Sequence, residues 1–98
     1  MRDQQILDEV KSTLALLTAK APGRAIEVRV PPYAAVQCGD GPTHTRGTPP
    51  NTIEMSADTW LALASGKLSW SDAMSSGAIA ASGVRADLSE YLPLGSKL

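Results

Sequence analysis

The stretch IEMSADTWLALASGKLSWSDAMSSGAIAASG, residues 53–83, decides the fold of this chain. Its apolar residues first alternate as in a strand, through Ile53 and Met55, and then change to the three-to-four spacing of a helix. Ser56 precedes that helix in the position of an N-cap, and Gly66 stands where a glycine commonly ends a helix. The first half of the stretch therefore predicts a strand that leads directly into a helix.

The second half of the stretch predicts a short helix followed by another strand. The residues Ser69-Trp70-Ser71-Asp72 have the spacing of a capping box, in which a serine accepts a hydrogen bond from the backbone three residues later. Gly77 ends this helix. The small residues from Ile79 to Ser82 are then typical of a strand, and Gly83 allows a bend after it.

The residues before this stretch predict one more helix and three more strands. Apolar residues at helical spacing, up to Pro22-Gly23, predict a first helix. Alternating patterns then predict strands at 26–30, 33–38 and 43–46. Hairpin-linked strands followed by helices are typical of an α+β fold with helices on one face of the sheet. The apolar residues of the first helix are Ile6, Leu7, Val10, Leu14 and Leu17.

Length and composition exclude several classes of protein. The 98 residues predict a single domain, 1–98, and the formal net charge of −1 gives no basic excess for nucleic-acid binding. One cysteine and one histidine exclude a disulfide framework and the usual zinc sites. The sequence shows no signal peptide and no apolar run of about 18 residues, so we expect a cytoplasmic protein without a cofactor.

The composition indicates a core with few large aromatic side chains. Phenylalanine is absent, and only two tryptophans and two tyrosines are present. A core of Ala, Val, Leu and Met has little volume per residue. Such a core either packs very closely or surrounds a ligand, and composition alone leaves both readings open.

The residues 53–83, together with Leu92-Pro93-Leu94, resemble the sterol carrier protein family. The shared pattern is a strand, a helix that ends in Gly66-Lys67-Leu68, a short helix, and a last strand between two glycines. The front half, from Val28-Arg29-Val30-Pro31-Pro32 to Asn51, is similar to a short, actinobacterial-type bacterial branch of that family. The resemblance implies a twisted, five-stranded, mainly antiparallel sheet with helices on one face and a hydrophobic tunnel between the two layers.

The resemblance further implies non-catalytic binding or transfer of a fatty acyl chain, a sterol-like molecule or another lipid. Arg46 and Asn51 are the candidates for binding a polar head group, and the alternative for them is a structural role in the loop and at the start of a strand. The apolar residues of the helices and the last strand are the candidates for contacting the lipid tail, and the alternative for them is the plain core. They are Trp60, Leu61, Leu68, Met74, Ile79, Leu92 and Leu94.

Cys38 and His44 raise the question of nucleophilic catalysis, because they lie on either side of a predicted turn. Cys38 shares its strand face with Val36 and Ala34, which indicates a buried small hydrophobic residue. No carboxylate stands at a spacing that would orient His44. We therefore predict no enzymatic activity and no metal site at this pair.

Three alternatives stay open at this stage. The same fold could serve as a homodimerising or protein-binding module without a lipid ligand. The first helix could make transient contact with a membrane, although packing on the sheet suits its mixed charges better. The sequence Ser96-Lys97-Leu98 is a peroxisomal address where peroxisomes exist, and a coincidence in a bacterial protein.

Overall fold

The structure, a computed structural model, describes residues 4–41 and 51–94 of the chain. The described part contains three α-helices, four strands and one short 3-10 helix. In chain order they are α1 (Gln4–Lys20), β1 (Ile26–Val30), β2 (Ala34–Cys38), β3 (Asn51–Met55), α2 (Ala57–Ser65), α3 (Trp70–Ser75), β4 (Ile79–Ser82) and the 3-10 helix (Ser89–Tyr91).

The helix ends follow the local sequence signals. The Ser56 hydroxyl accepts a hydrogen bond of 3.2 Å from the backbone N–H of Thr59, and the Ser69 hydroxyl accepts one of 3.1 Å from that of Asp72. Gly66 ends α2 with a φ of +88°, the left-handed conformation that glycine adopts without steric cost. These contacts confirm the predicted starts of α2 and α3 and the predicted end of α2.

The sheet differs from the prediction in two respects. The described residues form four strands in the order β2-β1-β3-β4, whereas we expected five, and the predicted strand at 43–46 lies outside the described residues. The sheet is also mixed and not simply antiparallel. β1 pairs antiparallel with β2 but parallel with β3, and β3 pairs antiparallel with β4. β3 thus lies on the opposite side of β1 from β2 and runs in the same direction as β1.

The two faces of the sheet have opposite character. Alternate residues of β1 and β3 are buried on one face, and the buried residues of the helices belong to the same core. The other face carries Glu27, Arg29 and Glu54. The Arg29 guanidinium lies 3.2 Å from the Glu27 carboxylate and 3.9 Å from that of Glu54, and the hydrogen bond that Arg29 donates to Glu27 raises the pKa of Arg29. The α+β class and the covered apolar face therefore agree with the sequence pattern.

The two longest helices are joined by a tryptophan. Trp60 of α2 is completely buried, and its indole N–H donates a hydrogen bond of 2.8 Å to the Thr13 hydroxyl of α1. The Thr13 hydroxyl in turn donates to the Glu9 carbonyl at 2.6 Å. The indole thus fills the space between the helices with its one polar atom satisfied. The largest buried apolar side chains around it are Val10, Leu14, Leu17, Val28, Val30, Ile53, Leu63 and Leu88.

Two further expectations concern the location of the protein, namely that no helix spans a membrane and that residues 96–98 read as a peroxisomal address. Within residues 4–41 and 51–94, no helix combines the length and the apolar character needed to cross a bilayer. The C-terminal Ser96-Lys97-Leu98 lies outside the described residues.

Candidate functional site

A groove of about 490 Å³ opens beside the junction between α2 and α3. Small-molecule sites in proteins typically have volumes of about 300–1,000 Å³, so the groove has the size of a ligand site. Three parts of the chain form its lining: the end of α2, the linker into α3, and the segment after the 3-10 helix. The lining residues are Leu63, Gly66, Leu68, Ser69, Trp70, Ser71, Ser89, Leu92 and Pro93.

One side of the groove is formed by Leu92 and Pro93. We call residues 92–94 the C-terminal wall. The backbone N–H of Leu94 donates a hydrogen bond of 3.0 Å to the Ala64 carbonyl near the end of α2. The Lys20 ammonium group at the end of α1 donates one of 3.3 Å to the Pro93 carbonyl. The Leu94 side chain is 5% exposed and anchors the wall in the core. The wall is therefore attached to both long helices.

The chemistry of the lining is apolar with uncharged polar groups. Leu68, Trp70 and Leu92 are only partly buried, so their apolar surface contacts water in the groove. The polar side-chain groups of the lining are serine hydroxyls and the indole N–H of Trp70, and the hydroxyls of Ser69 and Ser71 lie 3.5 Å apart. Such a surface binds an apolar molecule by removing its surface from water, and it binds a polar group of that molecule by hydrogen bonds.

The structure brings two of the predicted lipid-tail residues to this groove, Leu68 and Leu92. Sequence reasoning missed their neighbours Leu63, Trp70 and Pro93. Trp70 was interpreted only as part of a capping box. The signal that could have revealed it is an amphipathic tryptophan at the first position of a short helix, where part of the ring stays exposed.

The other predicted tail residues lie elsewhere. Trp60, Ile79 and Leu94 are buried in the core between the sheet and the helices. Leu61 is partly buried and packs against the same core, and Met74 of α3 is 42% exposed and outside the lining of the groove. That these five residues contact a ligand remains a prediction.

The two candidates for a polar head group also have different positions. Arg46 lies outside the described residues. Asn51 begins β3 and is 2% exposed. Its amide nitrogen donates to the Ala25 carbonyl at 2.9 Å, and its amide oxygen accepts from the backbone N–H of Arg85 at 2.9 Å. The side chain thus connects the segments before β1 and after β4, which is the structural alternative named for it.

Cys38 is completely buried at the end of β2 and forms no disulfide. Burial raises the pKa of its thiol to about 11, so that the thiol stays protonated at neutral pH. His44 lies outside the described residues. Across residues 4–41 and 51–94, no three His, Cys, Asp or Glu side chains gather in a way that could hold a metal ion.

We expect Cys38 to resist alkylation in the folded protein. Only the thiolate reacts, and the fold disfavours it because burial raises the pKa. The same shift makes stability depend on pH. The stabilisation is fully present below a pH of about 9.0, the ordinary value, and declines as the pH rises toward about 11, because the unfolded chain loses its proton first.

The measurement is the rate of iodoacetamide labelling, followed by mass spectrometry, with urea-unfolded protein as the reference. Labelling of the folded protein should be slower by orders of magnitude. Equal rates in both states would contradict the buried position of the thiol. Cys38→Ala should reduce the alkaline loss of stability, which a urea titration at several pH values would measure.

Comparison with known proteins gives one finding. A family model described as a bacterial SCP ortholog matches residues 2–94 of the chain. The matched residues extend from α1 to the C-terminal wall and so include every residue that lines the groove. No curated protein matches the chain.

Proposed function

The chain belongs to the bacterial sterol carrier protein family, and from this premise we propose that it binds a hydrophobic small molecule in the groove and transfers it without covalent chemistry. The observation that carries the proposal is the groove itself, with a volume of about 490 Å³ and apolar side chains open to water. Membership in the family supports a carrier role. The groove supplies a location on this chain at which the ligand would bind.

The driving force of binding is the apolar surface that a ligand removes from water. Burial contributes about 25 cal/mol per Å² before the costs of association are subtracted. In this groove Leu68, Trp70 and Leu92 offer that surface, because each is only partly buried in the free protein. Trp70 adds a flat, rigid ring that loses little conformational entropy when a ligand packs on it.

The core between the sheet and the helices supports the choice of the groove over a central tunnel. Trp60, Leu63 and Leu88 fill this space with almost no exposed surface. Native interiors are packed about as densely as organic crystals, so a ligand there would have to displace these side chains. The groove offers a volume that is already open.

The proposal is tested by filling the groove from an exposed position. Ser71→Trp places a large ring in the lining without removing a core side chain. Ser12→Trp makes the same change at an exposed position of α1. This control lies eight residues before Lys20, about 12 Å along the helix from the end that contacts the wall.

We expect native mass spectrometry and calorimetry with decanol to show binding by the wild type and by Ser12→Trp. Ser71→Trp should bind at least about tenfold more weakly, a difference of about 1.4 kcal/mol. Organic extraction of the purified protein would then identify any molecule carried from the cell. The proposal is wrong if the wild type binds no apolar ligand, or if Ser71→Trp binds as well as the control.

A second candidate function is a dimerisation module. Residues 73–84 contain no charged side chain, and this run includes β4, which forms an edge of the sheet within the described part of the chain. Val84, two residues after the end of the strand, is fully exposed. Sheet edges are commonly protected by charges or proline, and an uncharged edge can pair with its own copy. The subunit count in the same mass spectra decides between the two functions.

A further inference from the structure

The lining of the groove is uncharged. Among residues 4–41 and 51–94, the polar side-chain groups that line it are the hydroxyls of Ser69, Ser71 and Ser89 and the neutral indole N–H of Trp70. A hydroxyl donates one hydrogen bond and accepts others, so it can pair with an alcohol, an ester or an ether. It supplies no positive charge to an anion.

Among residues 4–41 and 51–94, two basic side chains adjoin the lining without belonging to it. Lys67 is exposed and lies between the lining residues Gly66 and Leu68 without being one of them. Lys20 reaches the outside of the C-terminal wall, where its ammonium group donates to the Pro93 carbonyl at 3.3 Å. A carboxylate held against the lining would therefore lose water without gaining an ion pair from a lining side chain, and this loss is costly.

Acidic side chains near the lining further disfavour the binding of an anionic head group. Asp72 directly follows the lining residue Ser71, and Glu90 directly follows the lining residue Ser89. Both carboxylates are exposed, so each contributes a partly screened negative charge close to the serine positions. Their effect on an anionic head group is repulsive, and these two carboxylates outnumber the one exposed cation, Lys67, that also adjoins lining residues in the sequence.

We infer that the groove selects hydrophobic ligands with an uncharged polar head, such as a long-chain alcohol or ester, over ligands with a carboxylate or phosphate head. The inference rests on the proposed function, because it concerns the same groove. It adds the chemical class of the ligand. The serine hydroxyls bond the head, while Leu68, Trp70 and Leu92 contact the tail.

The test compares decanol, methyl decanoate and decanoate at neutral pH by calorimetry, all with the same alkyl chain. An ionised carboxylate is less hydrophobic than an alcohol in any site, so the wild-type ratio alone is not decisive. The variant Ser71→Lys introduces a cation into the lining. Ser12→Lys introduces the same charge at an exposed position outside it and keeps the net charge of the two variants equal.

We expect the wild type to bind decanol and methyl decanoate at least about tenfold more tightly than decanoate. Ser71→Lys should reduce that ratio by about fivefold to tenfold, because a charge-assisted hydrogen bond forms to the carboxylate, and Ser12→Lys should leave it unchanged. Equal wild-type affinities would overturn the inference and leave the proposed function standing. An identical ratio in both lysine variants would also overturn it. Binding of none of the three ligands would remove the proposed function itself.

Discussion

Replacing Gly23 by alanine is expected to lower the free energy of unfolding by about 3–5 kcal/mol, from a total of about 5–15 kcal/mol for a domain of this size. Gly23 has a φ of +137°, a conformation that residues with a Cβ rarely adopt. An added Cβ would also collide with the carbonyl oxygen of Gly39, which is backbone and cannot turn aside.

The Gly39 backbone is held in place from both sides. Its N–H donates to the Ala21 carbonyl at 2.8 Å, and its carbonyl accepts from the Ala25 N–H at 3.1 Å. Relief of the collision would therefore break hydrogen bonds that join the end of α1 and the start of β1 to the end of β2. This is why the expected cost exceeds that of an unfavourable φ alone.

Gly77→Ala is the matched control for this prediction. Gly77 also has a positive φ, +79°, but an added Cβ would meet no atom within 4 Å. The control should cost only the conformational term of about 1–2 kcal/mol. Urea unfolding followed by circular dichroism measures both variants. Equal losses in the two alanine variants would show that the contact of Gly23 with Gly39 does not matter to stability.

Replacing Trp60 by alanine should cost about 3–5 kcal/mol, the range observed when a large aromatic side chain is removed from a core. The indole is completely buried, and its removal leaves a cavity between α1 and α2. The Thr13 hydroxyl loses the N–H that it accepts at 2.8 Å but keeps its own bond to the Glu9 carbonyl. The main loss is therefore one of packing and not of hydrogen bonding.

Two variants separate these contributions. Trp60→Phe keeps most of the buried ring and removes the N–H, so it should cost about 1–2 kcal/mol. Trp70→Ala removes the same side chain from a partly buried position and should cost less than Trp60→Ala in a urea titration. If the two tryptophan-to-alanine variants were equally unstable, Trp70 would belong to the core and the groove would lose its main apolar surface.

The parts of the fold that depend on local signals were predictable from the sequence. Ser56, Ser69 and Gly66 act on atoms within a few residues along the chain, and each occupies the cap position predicted for it. The parallel pairing of β1 with β3 was not predictable in this way. It joins Ile26 to Asn51 across the chain that follows β2, and strand alternation does not indicate which neighbour a strand chooses.

The candidate site was predictable only in part, for a related reason. Leu68 and Trp60 belong to the same apolar pattern, yet one lines an open groove and the other is completely buried. Helical spacing shows which residues face inward, but it does not show whether another segment covers them. For Trp60 that cover is Thr13 of α1, 47 residues earlier in the chain. Leu68 lies in the linker between α2 and α3, where it is only partly covered and lines the groove.

The C-terminal wall has a consequence for the order in which the molecule assembles. The bond from Lys20 to the Pro93 carbonyl closes a loop of 73 residues, whereas the β1–β2 hairpin closes over only a few. Loop-closure entropy grows with chain separation, so we expect the hairpin to form before the contacts that complete the groove. The contacts that form last and lie near the surface are also among the first to open in local fluctuations. A bound ligand would therefore stabilise the closed state of the groove, since it binds only molecules in which the two segments around Lys20 and Pro93 are already in contact.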